Sequence, residues 1–140
     1  MPVTILSKQN FDGVALPSAV RNVAGGFVDS PDIIAENVRG IVGFLNITST
    51  PGSATLSARF QWRDPASGNY ADVPRLSAGD FFPFTLTVST SQMLLFQVGN
   101  IQSDGVGTTV SNIIARTLRI RVFHSAPGNF TYSVGYSLMP

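Results

Sequence analysis

Ser53 to Leu76 reads SATLSARFQWRDPASGNYADVPRL, and its alternation decides the fold class. Leu56, Ala58, Phe60 and Trp62 fall on one side of an extended chain. Thr55, Ser57, Arg59, Gln61 and Arg63 fall on the other. Side chains in a strand alternate sides, so this pattern predicts one buried face and one wet face. Asp64-Pro65 stops the run, and Ser67-Gly68-Asn69 turns the chain back toward Tyr70 and Val73. The result is a hairpin with the one tryptophan, Trp62, on its apolar side.

The same grammar repeats outward from this hairpin. Val38 to Thr48 is apolar on both sides, with Ile41, Leu45 and Ile47 on one and Val42 and Phe44 on the other. Such a strand lies in the middle of a sheet or beneath a partner. Gly40 and Gly43 within it mark a bulge or a close backbone approach. Phe81 to Ser89 and Met93 to Val98 are further strands, with Pro83 placing the first at an edge. Arg116 to Pro140 is a second hairpin turning at Ala126-Pro127-Gly128-Asn129. Leu118, Ile120, Val122, Phe130, Tyr132, Val134, Tyr136 and Leu138 face in, and Arg119, Arg121 and Phe123 face out. Toward the N-terminus, Pro17 makes Val14 to Val23 an edge strand. Pro31 to Asn37 is expected to form one helical turn capped by Ser30. Residues 1–12, with the apolar run Val3 to Leu6, are an N-terminal arm or edge strand. Gly99 to Asn112 is a polar, glycine-dotted loop. Turn signals every ten or so residues give an all-β chain. It is expected to form a single β-sandwich or jelly-roll-like domain, residues 1–140, of about eight antiparallel strands.

Composition narrows the function classes. Charged residues make up 12% of the chain and hydrophobic ones 44%. A soluble domain usually carries about 25% charged residues, so this surface is expected to be covered by Ser, Thr, Asn and Gly or by a partner. Formal net charge is +1, which offers no field for nucleic acid or an anionic membrane. There is no cysteine, which excludes disulfides and thiolate chemistry. The N-terminus lacks a signal-peptide pattern, so synthesis in a cytoplasm is expected.

Catalytic and metal constellations are not visible. His124 is the one histidine, and no G-x-S-x-G elbow accompanies Ser125. His124 is expected to hydrogen-bond beside a turn. Asp64 and Asp80 occupy turn positions, where a carboxylate bonds nearby backbone N–H groups. Asp72 completes a set of carboxylates that a calcium site or a glycosidase pair would require, and the turn reading is the simpler one. No cofactor, no metal and no enzymatic activity are expected. Two arginine rows remain, Arg59 with Arg63 and Arg119 with Arg121. They suit an acidic protein surface, cross-strand pairing with aspartate, or plain solvation. Of Trp62, Tyr70 and Tyr132, Tyr70 is the exposed candidate for a glycan platform, and Trp62 is read as core.

Two stretches resemble small virion proteins of tailed bacteriophages: LSARFQWRDPASGNYADVP, from Leu56 to Pro74, and LRIRVFHSAPGNFTYSV, from Leu118 to Val134. The resemblance implies a non-enzymatic capsid decoration (cement) protein. Such proteins are commonly trimeric and clamp neighbouring major capsid subunits on the outer shell. It therefore implies a virion location, a major capsid protein as partner, and capsid stabilisation. A tail or head-fibre protein is the nearest alternative, and a carbohydrate-binding module the alternative of another class. The expected partner interface comprises Val3, Ile5, Leu6, Arg59, Gln61, Arg63, Tyr70, Arg119, Arg121 and Phe123.

Overall fold

The computed structural model describes residues 11–23, 25–36, 38–52, 54–73, 84–87, 91–99, 109–111 and 115–139. The apolar run at Val3, Ile5 and Leu6, together with Asp80, the start of the Phe81 strand, most of the Gly99 to Asn112 loop, and Ile113 and Ile114, lies outside them. All regular structure among the described residues is strand.

Among the described residues, eleven strands build two sheets. The first sheet is ordered β1 (Phe11–Arg21), β11 (Phe130–Met139), β4 (Gly40–Ser49), β8 (Gln92–Gly99) and β9 (Thr109–Ser111). The second centres on β10 (Thr117–His124) and β5 (Thr55–Arg63). One edge of β10 pairs with β2 (Phe27–Asp29) and β3 (Ile33–Ile34), and the far edge of β5 with β7 (Phe84–Thr87) and β6 (Tyr70–Asp72). The architecture is the expected all-β sandwich. It has more strands than the turn signals indicate because β2, β3, β6 and β9 are two or three residues long. Too few residues alternate in such pieces to carry a sequence signal. One pair, β8 with β9, is parallel rather than antiparallel.

The core lies between the inner faces. Leu56, Ala58, Phe60, Leu118, Ile120 and Val122 of the second sheet meet Ile41, Leu45, Ile47, Phe96, Tyr132 and Val134 of the first, all buried. The Phe60 and Phe96 rings bridge the sheets with centroids 4.8 Å apart. Gly43 makes room for this pair. A Cβ on Gly43 would lie 2.3 Å from the Phe96 ring, so glycine is needed here for space. The apolar-on-both-sides strand β4 sits centrally between β11 and β8. Trp62 is half-buried, packed on the core's edge and paired with Leu118.

The edge strand around Pro17 also stands. β1 slips register between Val14 and Leu16 and again between Leu16 and Ala19. Proline has no N–H for the ladder, and a bulge absorbs the mismatch. Arg21 folds back on this irregular segment, its guanidinium donating to the Pro17 carbonyl at 2.6 Å and the Tyr132 carbonyl at 2.6 Å.

One local expectation fails. The helical turn after Ser30 is absent, and Ile33–Ile34 is a strand on β10. Ser30 does not cap a helix. Its hydroxyl accepts the Ile120 N–H at 2.9 Å, and its own N–H donates to the Ile120 carbonyl at 2.8 Å. Burial of Ile33 against the core outweighs the weak local signal of Ser-Pro.

Candidate partner-binding face

The site begins with the outward row of β5. Alternation places Ser57, Arg59, Gln61 and Arg63 on the outer face, but that row is not simply wet. Ser57 and Gln61 are buried and Arg59 is half-buried, while Arg63 is exposed. The reason is cross-strand cover. Register sets Arg121 opposite Arg59, Arg119 opposite Gln61, and Asp72 on the other side of Gln61. Side chains that long, held about 5 Å apart, shield one another from water.

The three central arginines are each paired within the face. Asp72 accepts from Arg59 at 2.9 Å and from the Gln61 amide at 2.8 Å. Gln61 Oε1 in turn accepts from Arg119 Nε at 2.9 Å. Arg121 forks onto Asp29 with Nε at 2.6 Å and Nη2 at 2.9 Å, and Arg119 Nη1 lies 3.3 Å from the same carboxylate. Hydrogen bonds from Arg121 hold the Asp29 carboxyl below its ordinary pKa and raise that of Arg121. Cross-strand pairing with aspartate, one of the readings open for the arginine rows, holds for Arg59, Arg119 and Arg121.

Aromatic rings frame the network. The Phe27 ring receives the Arg121 guanidinium at 4.3 Å and that of Arg59 at 5.7 Å, and meets Phe123 at 5.1 Å. Arg119 stacks over Tyr70 at 3.6 Å. The Tyr70 hydroxyl donates to Asp32, which raises its pKa. Tyr70 is therefore half-buried and fixed, less free than its position near a hairpin tip implies. At that tip Asp64 behaves as its turn position predicts. It accepts from the Ala66 N–H at 3.0 Å and the Ser67 hydroxyl at 2.6 Å, and its pKa is lowered chiefly by the Ser67 bond. Gly68 completes the turn at φ 77°, a conformation that favours glycine.

Seven of the expected interface residues thus share one face: Arg59, Gln61, Arg63, Tyr70, Arg119, Arg121 and Phe123. Sequence reasoning missed Phe27 and Asp29, which sit on a strand of only three residues. Asp72, weighed with Asp64 and Asp80 and read more simply as a turn carboxylate, is instead the partner of Arg59. A signal existed for Asp72, since it lies two residues beyond Tyr70 on the returning arm of the hairpin. Nothing local pointed to Phe27. The three candidate glycan aromatics do not come together: Tyr132 is buried in the core, Trp62 packs at its edge, and Tyr70 is on the outer face.

His124 is buried between the sheets. Its Nε2 pairs with the Tyr132 hydroxyl at 2.9 Å, and its Nδ1 has no hydrogen-bond partner among the described residues. Burial lowers its pKa, with the Arg21 charge adding to the effect. Hydrogen bonding was the expected role, and the bond here joins β10 of one sheet to β11 of the other. Among the described residues no group of three or more His, Asp or Glu stands close enough to hold a metal ion.

No protein-family model matches the chain, and no curated protein is significantly similar to it. Its fold is similar to a chain in the structure of infectious bursal disease virus, Gx strain. The TM-score is 0.54 at 8% sequence identity, over 92% of this chain and 32% of that one. This chain therefore spans about a third of the viral chain's length. At that identity the likeness is one of fold.

Proposed function

We propose that this chain is a non-enzymatic virion structural protein, a capsid decoration protein that binds the outside of a capsid shell and stabilises it. The observation that carries the reading is the β-sandwich shared over 92% of the chain with part of a virus structure. The sparse charge of the sequence and its phage-like hairpins agree with it. The partner is a major capsid protein, and the location is the capsid surface after synthesis in the host cytoplasm.

The outer face of the second sheet is the gripping surface in this reading. Its three central arginines, Arg59, Arg119 and Arg121, are held by two aspartates, Asp29 and Asp72, which leaves one positive charge over. Arginines already fixed in place lose little freedom on binding, and Phe27, Tyr70 and Phe123 add apolar area. A partner presenting carboxylates around an apolar patch is complementary. Whatever binds the assembled shell and not its loose subunits stabilises the shell by mass action.

Co-sedimentation with purified, undecorated, expanded capsids tests this. The wild-type chain is expected to pellet with shells and to raise their disruption temperature. The double variant Phe27→Ser, Arg63→Glu is expected to stay in the supernatant. Failure of the folded wild-type chain to pellet overturns the reading. Immunogold labelling of tails or fibres instead of heads assigns the chain to the tail.

A further inference from the structure

The outer face of the first sheet carries different chemistry, laid out in rows by the strand register. Val14, Gly135, Phe44 and Leu95 are neighbours across β1, β11, β4 and β8. Ser133, Asn46 and Met93 form the next row, and Asp12, Ser137, Val42 and Gln97 the row on the other side. Of these, Asp12 alone is charged, and it stands at the margin.

Relief on this face runs along the strands. On β11 Ser133, Gly135 and Ser137 point outward, all small, and they floor a shallow trough of about 390 Å³ that Asp12 borders on one side and Phe44, Asn46 and Met93 on the other. Two strands away, roughly 10 Å, Met93 and Leu95 stand 56% and 55% exposed. Gly135 is not required by the chain's own packing. A Cβ there would meet only the Gly13 carbonyl, at an ordinary 3.6 Å, whereas the missing Cβ atoms of Gly43 and Gly13 are replaced by the rings of Phe96 and Tyr136. Among the described residues, none fills the space over Gly135.

We propose that a second copy of this chain covers this face, each copy seating Met93 and Leu95 in the other's trough. A two-fold axis along β4 lays β11 of one copy over β8 of its partner. Leu95 then faces Gly135, and Met93 faces Ser133. The two Asp12 carboxylates fall at opposite margins, four strand spacings or roughly 19 Å apart, so like charges do not meet. The symmetry follows from placement. Ridge and trough lie on one face, so the neighbour that fills a copy's trough is the same one whose trough that copy fills. A three-fold ring needs its two contact patches on different faces. The assembly is therefore a dimer, not the trimer that the phage resemblance implies. Four strands by about five residues is a small contact, near the lower bound of specific interfaces at ~1,000 Å² in total, so the dimer forms with rising concentration.

Sedimentation velocity on the full chain over a range of concentrations tests the proposal without any capsid. The mass is expected to rise from 14.9 kDa toward twice that value. Leu95→Arg fills the ridge with charge, and Gly135→Val fills the trough. Each is expected to raise the dissociation constant about tenfold or more, while Phe27→Ser on the opposite face leaves it unchanged. Far-ultraviolet dichroism and thermal unfolding of dilute samples confirm that the variants fold. A wild-type chain that stays at 14.9 kDa into the hundreds of micromolar overturns the proposal. An oligomer indifferent to both substitutions, or one lost with Phe27→Ser, overturns it too. The capsid reading fails on co-sedimentation alone, so the two outcomes are separable.

Discussion

The two outer faces of this sandwich solve the same problem in opposite ways. On the second sheet, β5 and β10 place arginine outward, and those arginines are matched by Asp29 and Asp72 and roofed by Phe27 and Tyr70. The centre of that face is polar yet largely dry, because each of its arginines is paired with an aspartate and covered by its neighbours. On the first sheet, β4 and β8 place Phe44, Met93 and Leu95 outward, and β11 places serine and glycine. Among the described residues, that face mixes apolar with small polar side chains, carries Asp12 as its one charge at the margin, and is open. The contrast teaches that an outward position in an alternating strand is defined only relative to the core. Whether water reaches it depends on the neighbours that the register supplies.

Substitutions at the glycines probe the sidedness of the first sheet and carry the largest effect. Gly43→Ala drives a methyl group into the buried Phe96 ring and is expected to cost about 1–3 kcal/mol in urea denaturation. Gly135→Ala, on the outer face of the neighbouring strand, is expected to change stability by no more than about 0.5 kcal/mol. Equal costs would erase the distinction between the packed and the open side.

On the second sheet, Asp29→Asn leaves Arg121 and Arg119 without their shared carboxylate. The expected loss is about 1 kcal/mol at neutral pH, shrinking at high salt. No loss would mean that the face is solvated rather than paired.

An acid titration of stability gives the smallest and most diagnostic signal. His124 titrates below its ordinary 6.5 because burial disfavours the imidazolium. As pH falls through 6.5 the unfolded chain takes this proton first, so stability declines until the native pKa is passed. Asp29 titrates below its ordinary 3.8, held there by Arg121. Its contribution is intact above that pH and is lost as pH falls through the lower native value. Two acid windows are therefore expected in pH-dependent thermal melts. His124→Gln should flatten the upper one, and Asp29→Asn should reduce the lower one. A single window unaffected by either substitution would contradict the assignment.

Much of this is legible in the sequence. Leu56, Ala58, Phe60, Leu118, Ile120 and Val122 announce their burial by strict alternation, and all six are buried. The central place of β4 follows from its apolar residues on both sides, and the irregularity of β1 from Pro17. Long alternating runs survive tertiary context because shifting them by one residue would turn every apolar side chain to water. Short segments have no such protection. Ile33–Ile34 reads locally as part of a helical turn, and Phe27–Asp29 reads as nothing, yet both are strands because β10 offers an unpaired edge. The arginine-rich outer face of the second sheet was half legible for the same reason. The arginine rows are visible in β5 and β10, but their partners Asp29 and Asp72 arrive from three-residue strands.

By itself the sequence determined the sandwich, its inner faces and the absence of cysteine chemistry, since each depends on a periodicity or a count. Only the tertiary structure decided which outward residues meet. Asp29 reaches Arg121 across 92 residues, and Gly135 lies beside Phe44 and one strand further from Leu95. Those adjacencies come from strand order and register. The energy that selects them is the burial of the opposite face, which local sequence does not specify.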